Sequence, residues 1–291
     1  METWWWLPLG LGTALATAVA DLLTKRFFGD LSPYTMALAT WGFALPFLGV
    51  VALLLPVPRL SLTFWLAIIA ALPLEYLAAL LYMQALKTSP LSLSIPFLAF
   101  TPVFLILTSW LLLKEALTAM GWAGLGLIAA GSYLLGLGNR PLTWWEPLAA
   151  LARDPGPRLM LVVAALYSLT AALGKLAILH SSPTFFGVFY PSLFSGLLLA
   201  GYPLTRTRES HALVSRGFWG LFLGSAMTIS IMCHVFGMAL APASYLIGVK
   251  RLSILFTVLL GGLVLRERPI LPRMAAAFLM VLGVALVALS R

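Results

Sequence analysis

Residues 239–267 read ALAPASYLIGVKRLSILFTVLLGGLVLRE, and residues 87–115 read KTSPLSLSIPFLAFTPVFLILTSWLLLKE. Laid over one another at a spacing of 152, they align Pro90 with Pro242, Ser92 with Ser244, Phe104 with Phe256, and Lys114-Glu115 with Arg266-Glu267. After the proline each stretch runs through mostly apolar residues to a cation–acid pair, long enough to cross a bilayer as a helix of about 20 residues. Lys25 and Ser32-Pro33 recur as Lys175 and Ser182-Pro183 at a spacing of 150. Chance can supply one such match, but an ordered series at nearly constant spacing marks an internal repeat.

Working outward from these stretches, apolar runs bounded by Pro, Gly and charge predict five spans in each half. The first half holds Trp5–Thr24, Pro33–Leu55, Leu62–Ala85, Pro90–Leu113 and Gly121–Leu137. The second holds Leu159–Leu179, Pro183–Leu204, Gly217–Leu240, Ala243–Leu265 and Pro272–Ser290. The expected organisation is one integrated membrane domain: a first repeat over 1–137, a polar linker over 138–158 with Trp144-Trp145 at an interface, and a second repeat over 159–291. An odd number of spans per half makes the second copy enter the membrane upside down. Inverted repeats around a central cavity are the architecture of alternating-access transporters, with substrate held near the midplane.

Composition sets the same class. Of 291 residues, 62% are hydrophobic and 9% charged, with a mean hydropathy of +1.02, more apolar surface than a soluble domain can hide from water. The expectation is an all-α polytopic membrane protein. Cys233 is the only cysteine, which excludes a disulfide scaffold, and His180, His211 and His234 lack metal-ligand spacing. No metal or other cofactor is expected.

The formal charge of +9 follows membrane topology and excludes a nucleic-acid partner. Odd-numbered loops carry twelve cations (Lys25, Arg26, Lys87, Arg140, Arg153, Arg158, Arg206, Arg208, Arg216, Arg266, Arg268, Arg273), and the others carry three (Arg59, Lys114, Arg291). The positive-inside rule puts the odd loops in the cytoplasm and both termini outside. The start, Met-Glu-Thr-Trp-Trp-Trp, lacks the basic flank of a cleavable signal, so the first run is expected to remain a span of an inner (plasma) membrane protein.

Charges left inside the apolar runs nominate the site, because each costs at least about 2.5–3.5 kcal/mol at a helix centre. Lys250 and Arg251 stand together in span nine, heading a stripe of Ser253, Thr257 and Gly261. Adjacent buried cations need an anion between or beside them. A substrate phosphate or carboxylate fits, and so does a structural carboxylate, Glu75 or Asp21. Snorkelling of Arg251 toward an interface is a third reading. Glu75, in span three, suits a proton-coupling site or a salt bridge. Asp21 lies four residues before Lys25, the spacing of a helical ion pair. Lys175, Tyr245, His234 and Tyr190 complete the candidate substrate contacts, and Tyr167 is a weaker one. Gly124, Gly126 and Gly131 match a dinucleotide fingerprint only in composition; together with Gly220 and Gly224 they read as close helix packing.

Leu86-Lys87-Thr88-Ser89-Pro90, Thr101-Pro102-Val103-Phe104 and Leu112-Leu113-Lys114-Glu115 resemble the fourth-span motif of EamA-type proteins of the drug/metabolite transporter superfamily. Ala239–Ser244 through Leu265-Arg266-Glu267 is similar to its second copy, and Lys25 stands where EamA first spans often carry lysine. The resemblance covers essentially the whole chain. It implies ten helices in two inverted halves, a central cavity, and small-metabolite transport without ATP hydrolysis. The chain departs from it around Thr40-Trp41, where EamA second spans commonly carry an arginine. Val249-Lys250-Arg251 further resembles the triose-phosphate and nucleotide-sugar translocator branch, where such a pair takes part in phosphate binding. The matching span-four lysine is Leu98 here, which weakens the expectation of a doubly charged phosphate.

The expected function is secondary-active transport of a small metabolite with an anionic group docking on Lys250/Arg251, and with Glu75 coupling a proton or an exchanged metabolite. A rival reading is export of amino acids or other neutral or zwitterionic compounds with a structural Lys-Arg pair. A reading from another class is a membrane enzyme for lipid-linked substrates, which the lack of a linked nucleophile–base set disfavours, and the last is a purely structural subunit. The expected partners are the substrate and the bilayer, in a monomer or homodimer.

Overall fold

A computed structural model of the chain describes residues 4–53, 55–89, 94–137, 151, 153–204, 209–265 and 271–290. Most of the linker, including Trp144-Trp145, lies outside these residues, as do Pro90 to Leu93 and the Arg266-Glu267 pair. All regular structure among the described residues is helical. The helices are α1 Trp6–Phe28, α2 Pro33–Gly42, α3 Leu45–Ala52, α4 Leu62–Thr88, α5 Thr101–Leu113, α6 Ala119–Leu137, α7 Pro155–Leu179, α8 Pro183–Gly201, α9 Ser210–Ser215, α10 Gly217–Leu240, α11 Ala243–Lys250, α12 Leu252–Leu265 and α13 Leu271–Leu289. Among the described residues, six segments are long and apolar enough to cross a membrane: Trp6–Phe28, Pro33–Ala52, Leu62–Thr88, Pro155–Leu179, Pro183–Leu204 and Gly217–Leu240. Shorter apolar helices occupy Phe97–Leu113, Ala119–Leu134 and Ala275–Leu289. Large apolar side chains such as Leu62, Leu66, Ile69, Phe218, Phe222 and Phe278 point outward, as a lipid-facing surface requires.

The recurring Ser-Pro pairs are helix starts. The Ser32 hydroxyl accepts from the Thr35 N–H at 3.3 Å, and Ser182 does the same for Phe185 at 3.2 Å, with Pro33 and Pro183 in the first turn. Proline is tolerated there because its missing N–H would have no helical partner. The same logic starts α7 at Pro155, inside the expected linker, and α1 and α4 run a few residues beyond their expected ends.

Three expected continuous spans are broken instead. The second splits into α2 and α3 just before Pro46, which cannot donate back to Gly42. The fourth opens as a tight 3-10 helix over Ile95–Phe100, ahead of Pro102. The ninth breaks at Arg251, whose N–H donates to both Ile247 and Gly248 carbonyls while Ile254 donates to its carbonyl, a local 3-10 tightening. Irregular backbone at membrane depth is tolerated where it lines a cavity or is buried in protein.

The packing exchanges the two halves. The repeat pairs α1 with α7, α4 with α10, and α6 with α13. Accordingly α4 packs on α7 while its counterpart α10 packs on α1, and α6 packs on α13. Likewise α5 meets α7 and α12 meets α1. This is the pattern of a pseudo-two-fold relation between the repeats. At the α6–α13 contact a Cβ on Gly124 would lie 2.6 Å from the Gly283 carbonyl oxygen, so the helices touch backbone to backbone. Gly131 meets the Ala276 carbonyl in the same way, whereas Gly126 faces open space.

At one end of the bundle the α1–α2 turn is tied to the segment before α10. Arg216 donates to both Asp30 carboxylate oxygens (2.5 and 2.8 Å) and to the Phe27 carbonyl (2.7 Å). Glu209 accepts from the Ser32 N–H (3.0 Å) and hydroxyl (2.7 Å), and Lys87 donates to the Leu31 carbonyl at 2.9 Å. The hydrogen bonds from Arg216 hold Asp30 below its ordinary pKa. Burial pushes Glu209 up, but the Thr35 and Ser32 hydroxyls and the Ser32 N–H outweigh it and leave it lowered. A carboxylate lowered on folding stabilises above its unfolded pKa and loses that contribution as pH falls through its folded value. These ties are therefore expected to hold unchanged from about pH 8 to about pH 5 and to loosen below about pH 4, read as faster amide exchange at 29–36 and 209–216.

Candidate functional site

A cavity of about 200 Å³ lies between the two repeats. From the first repeat come Asp21 on α1, Thr40 and Trp41 on α2, Glu75 and Tyr82 on α4, and Ile95 and Leu98 on the 3-10 turn. The second repeat supplies Tyr167 and Thr170 on α7, Tyr190 on α8, Ser230 and His234 on α10, and Lys250, Arg251 and Ser253 at the α11–α12 break. Both adjacent cations, at the break in the ninth segment, belong to the cavity lining.

The four charged side chains interact across the cavity. Asp21 interacts with the Tyr82 side chain and lies within the electrostatic reach of Lys250 and Arg251. Glu75 interacts with the Thr170 side chain, and Lys250 acts on it too. Lys250 therefore serves both carboxylates, while Arg251 acts on Asp21 and on the hydroxyls of Tyr82 and Tyr167. Arg251 is 5% exposed, Glu75 9%, Tyr190 8%. Among the described residues, three buried polar atoms of the lining have no hydrogen-bond partner: Tyr190 Oη, His234 Nδ1 and Arg251 Nε. An unpaired buried polar atom costs about 1–3 kcal/mol, so three converging on one cavity define a place for a polar ligand.

Of the residues expected at the substrate, the structure brings together Lys250, Arg251, Glu75, Tyr190 and His234. Lys175 and Tyr245 lie outside the lining. Lys175 is ion-paired with Glu115 and donates to the Ala241 carbonyl at 2.5 Å; Glu115 also accepts from the Ala243 N–H at 2.9 Å. The lysine thus caps the carboxyl end of α10 and the glutamate the amino end of α11, each at the helix-dipole end that favours its charge. Tyr245 is buried, with its ring 6.5 Å from that of Trp6 and its hydroxyl 3.4 Å from the Thr118 hydroxyl.

Asp21, which the sequence offers either to Lys25 or to the Lys250–Arg251 pair, belongs to the cavity lining. The spacing paired it with Lys25, but Lys25 donates to the Leu86 carbonyl while Asp21 turns to Tyr82 and the cavity. The sequence signal was its place deep within an apolar run; what it lacked was the partner, which sits on another helix.

The Lys175–Glu115 pair is expected to be a stability element. Its side chains are 9% and 14% exposed, so Glu115→Gln takes the Glu115 charge away from a buried ammonium, at an expected cost of about 3 kcal/mol in unfolding. Adding Lys175→Met should recover much of that loss, because it removes the buried charge that Glu115→Gln leaves uncompensated. Unfolding titrations of the wild type, the single variant and the double variant check it.

A helical membrane protein with its polar groups gathered in a cavity between two exchanged repeats belongs to the class of membrane transporters. The EamA-like transporter family model matches residues 4–137 and 155–289, and the chain belongs to that family. A solved structure described only as "Crystal structure of protein" shares the fold with a TM-score of 0.72 at 18% identity, over 98% of each chain. Among curated proteins none matches.

Proposed function

We propose that this chain is a secondary-active transporter of a small metabolite, crossing an inner (plasma) membrane ten times as two inverted five-helix repeats. The substrate's anionic group, a carboxylate or phosphate, docks on Lys250 and Arg251. Tyr190 and His234 hydrogen-bond it, and Glu75 carries the coupling proton. The observation that carries this reading is the convergence of two cations, two carboxylates and three unpartnered polar atoms on one cavity between the repeats. An arginine fork and a lysine point charge suit carboxylate and phosphate alike.

The cavity alternates between the two membrane faces, and the substrate biases that exchange by binding best where the walls close round it. Odd-numbered loops lie in the cytoplasm, with both termini outside. No step makes or breaks a covalent bond, so the chain is not an enzyme. The test is flux in proteoliposomes, using labelled carboxylates and organic phosphates under an imposed pH gradient. Glu75→Gln is expected to keep substrate exchange at equal pH and to lose accumulation driven by the gradient. Undiminished gradient-driven accumulation in Glu75→Gln would remove Glu75 from coupling.

A further inference from the structure

Lys175 and Glu115 stand off the cavity wall, yet they meet at its end. We propose that this ion pair is the latch of a gate, made while that end of the cavity is shut and parted when it opens. The proposal rests on the reading that the cavity alternates between the two membrane faces.

The pair lies where such a latch is needed. Lys175 stands on α7 between Gly174 and Ile178, which both line the cavity. On α10, Met238 lines the cavity, and Ala241, three residues on, gives its carbonyl to Lys175. The cavity therefore runs up to the tie along two helices. Lys175 and the α10–α11 corner belong to the second repeat. Glu115 follows α5 of the first repeat and takes both the Lys175 ammonium and the Ala243 N–H. Units that rotate against one another repack the salt bridges between them. A charged contact that crosses from one repeat to the other at the cavity's end is placed to be repacked in this way.

The repeat supplies a counterpart at the other end. Lys25, 150 positions before Lys175, donates to the Leu86 carbonyl in the last turn of α4, as Lys175 does at the end of the matching α10. Arg216, at the start of α10, binds the Phe27 carbonyl at the end of α1, so Lys25 and Lys175 hold opposite ends of the bundle. Met83, one turn before Lys87 on α4, lines the cavity on the Lys25 side.

Helix α11 joins the latch to the cation pair. Its first residue, Ala243, is held by Glu115, and its last is Lys250, about 10 Å along the axis. A ligand on Lys250 thus acts on one end of a short helix whose other end is latched.

Thiol labelling of the ligand-free full chain in detergent tests the latch. Cys233, the only cysteine, is replaced by alanine, and single reporters are introduced as Met238→Cys and Met83→Cys. Each is combined with Glu115→Gln and with Glu115→Gln/Lys175→Met, and reaction with a small charged methanethiosulfonate is timed. Glutamine keeps an acceptor for the Ala243 N–H and removes the charge. Both variants are expected to label at 238 at least about tenfold faster, and at 83 no faster than their parent. The double variant separates gate from scaffold, because it carries no uncompensated ammonium and is still expected to open.

Equal acceleration at both reporters would mean a loosened bundle and would overturn the latch. Unchanged labelling at 238 would overturn it too, and so would a rise confined to the single variant. If wild-type flux in proteoliposomes persists alongside any of these results, alternating transport stands and only the latch falls. Should Glu115→Gln fail to purify as a monodisperse protein, the double variant decides alone.

Discussion

Lys250→Ala and Arg251→Ala are each expected to abolish substrate flux in proteoliposomes, with a loss of about a hundredfold or more. Truncating one partner of a buried, hydrogen-bonded charge pair costs about 2–5 kcal/mol, which spans that factor. The loss arises on both sides of the cavity. The substrate loses its counter-charge, Asp21 is left facing one cation instead of two, and in Lys250→Ala Glu75 also loses the cation that acts on it. Arg251→Lys separates charge from geometry. It keeps the positive charge but replaces the planar fork by a point charge, and an intermediate loss of about tenfold is expected. If Arg251→Lys were as inactive as Arg251→Ala while remaining folded, the fork and not the charge would carry recognition. Flux untouched in both alanine variants would take the pair out of the site.

The second large effect falls on the fold. A Cβ on Gly224 would sit 1.9 Å from the Phe43 carbonyl oxygen and 2.4 Å from its carbon, so α10 crosses the α2–α3 break without room for a methyl group. Backbone cannot rotate aside as a side chain can. Gly224→Ala is therefore expected to cost about 3 kcal/mol or more, the upper end of overpacking penalties, and to lower the yield of monodisperse protein. Gly126→Ala is the control. Nothing lies within 4 Å of its Cβ, and an interior helical Gly→Ala change should be neutral or stabilising by about 0.5–1 kcal/mol. Melting curves of both variants check the contrast, and equal losses would mean that the close approach at Phe43 is not what holds α10 in place.

Much of this architecture is legible in the chain because it rests on local chemistry repeated twice. Ser32-Pro33 and Ser182-Pro183 begin helices for a reason contained in the dipeptide itself, and recurrence at a fixed spacing announces two copies. Lys250 and Arg251 could be nominated because charge inside an apolar run is expensive wherever that run folds. Partners are another matter. Asp21 offered Lys25 four residues away, and nothing within one helix favours Tyr82, sixty-one residues on, over that neighbour. Lys175 read as a cavity cation because its counter-charge, Glu115, stands in the first repeat, sixty residues earlier. Glu115 reaches it after Lys114, the one non-glycine residue with a left-handed backbone (φ 55°) among those described, which turns the chain at the end of α5. The helix breaks were half legible. Pro46 and Pro102 are visible in the sequence, but the break at Arg251 has no proline to announce it.

The proposed transport rests on a ligand whose anionic group occupies the cavity against Lys250 and Arg251. Its most direct test is the melting temperature of the purified chain in detergent against organic phosphates, carboxylates, amino acids and neutral hydrophobic compounds, each repeated on Lys250→Ala. A ligand that binds only the folded state raises the melting temperature by mass action. The expected result is stabilisation of the wild type by a class bearing an anionic group and its disappearance in Lys250→Ala. Equal stabilisation of both proteins, or stabilisation by neutral compounds alone, would rule out docking on Lys250 and Arg251 and make the cation pair part of the scaffold.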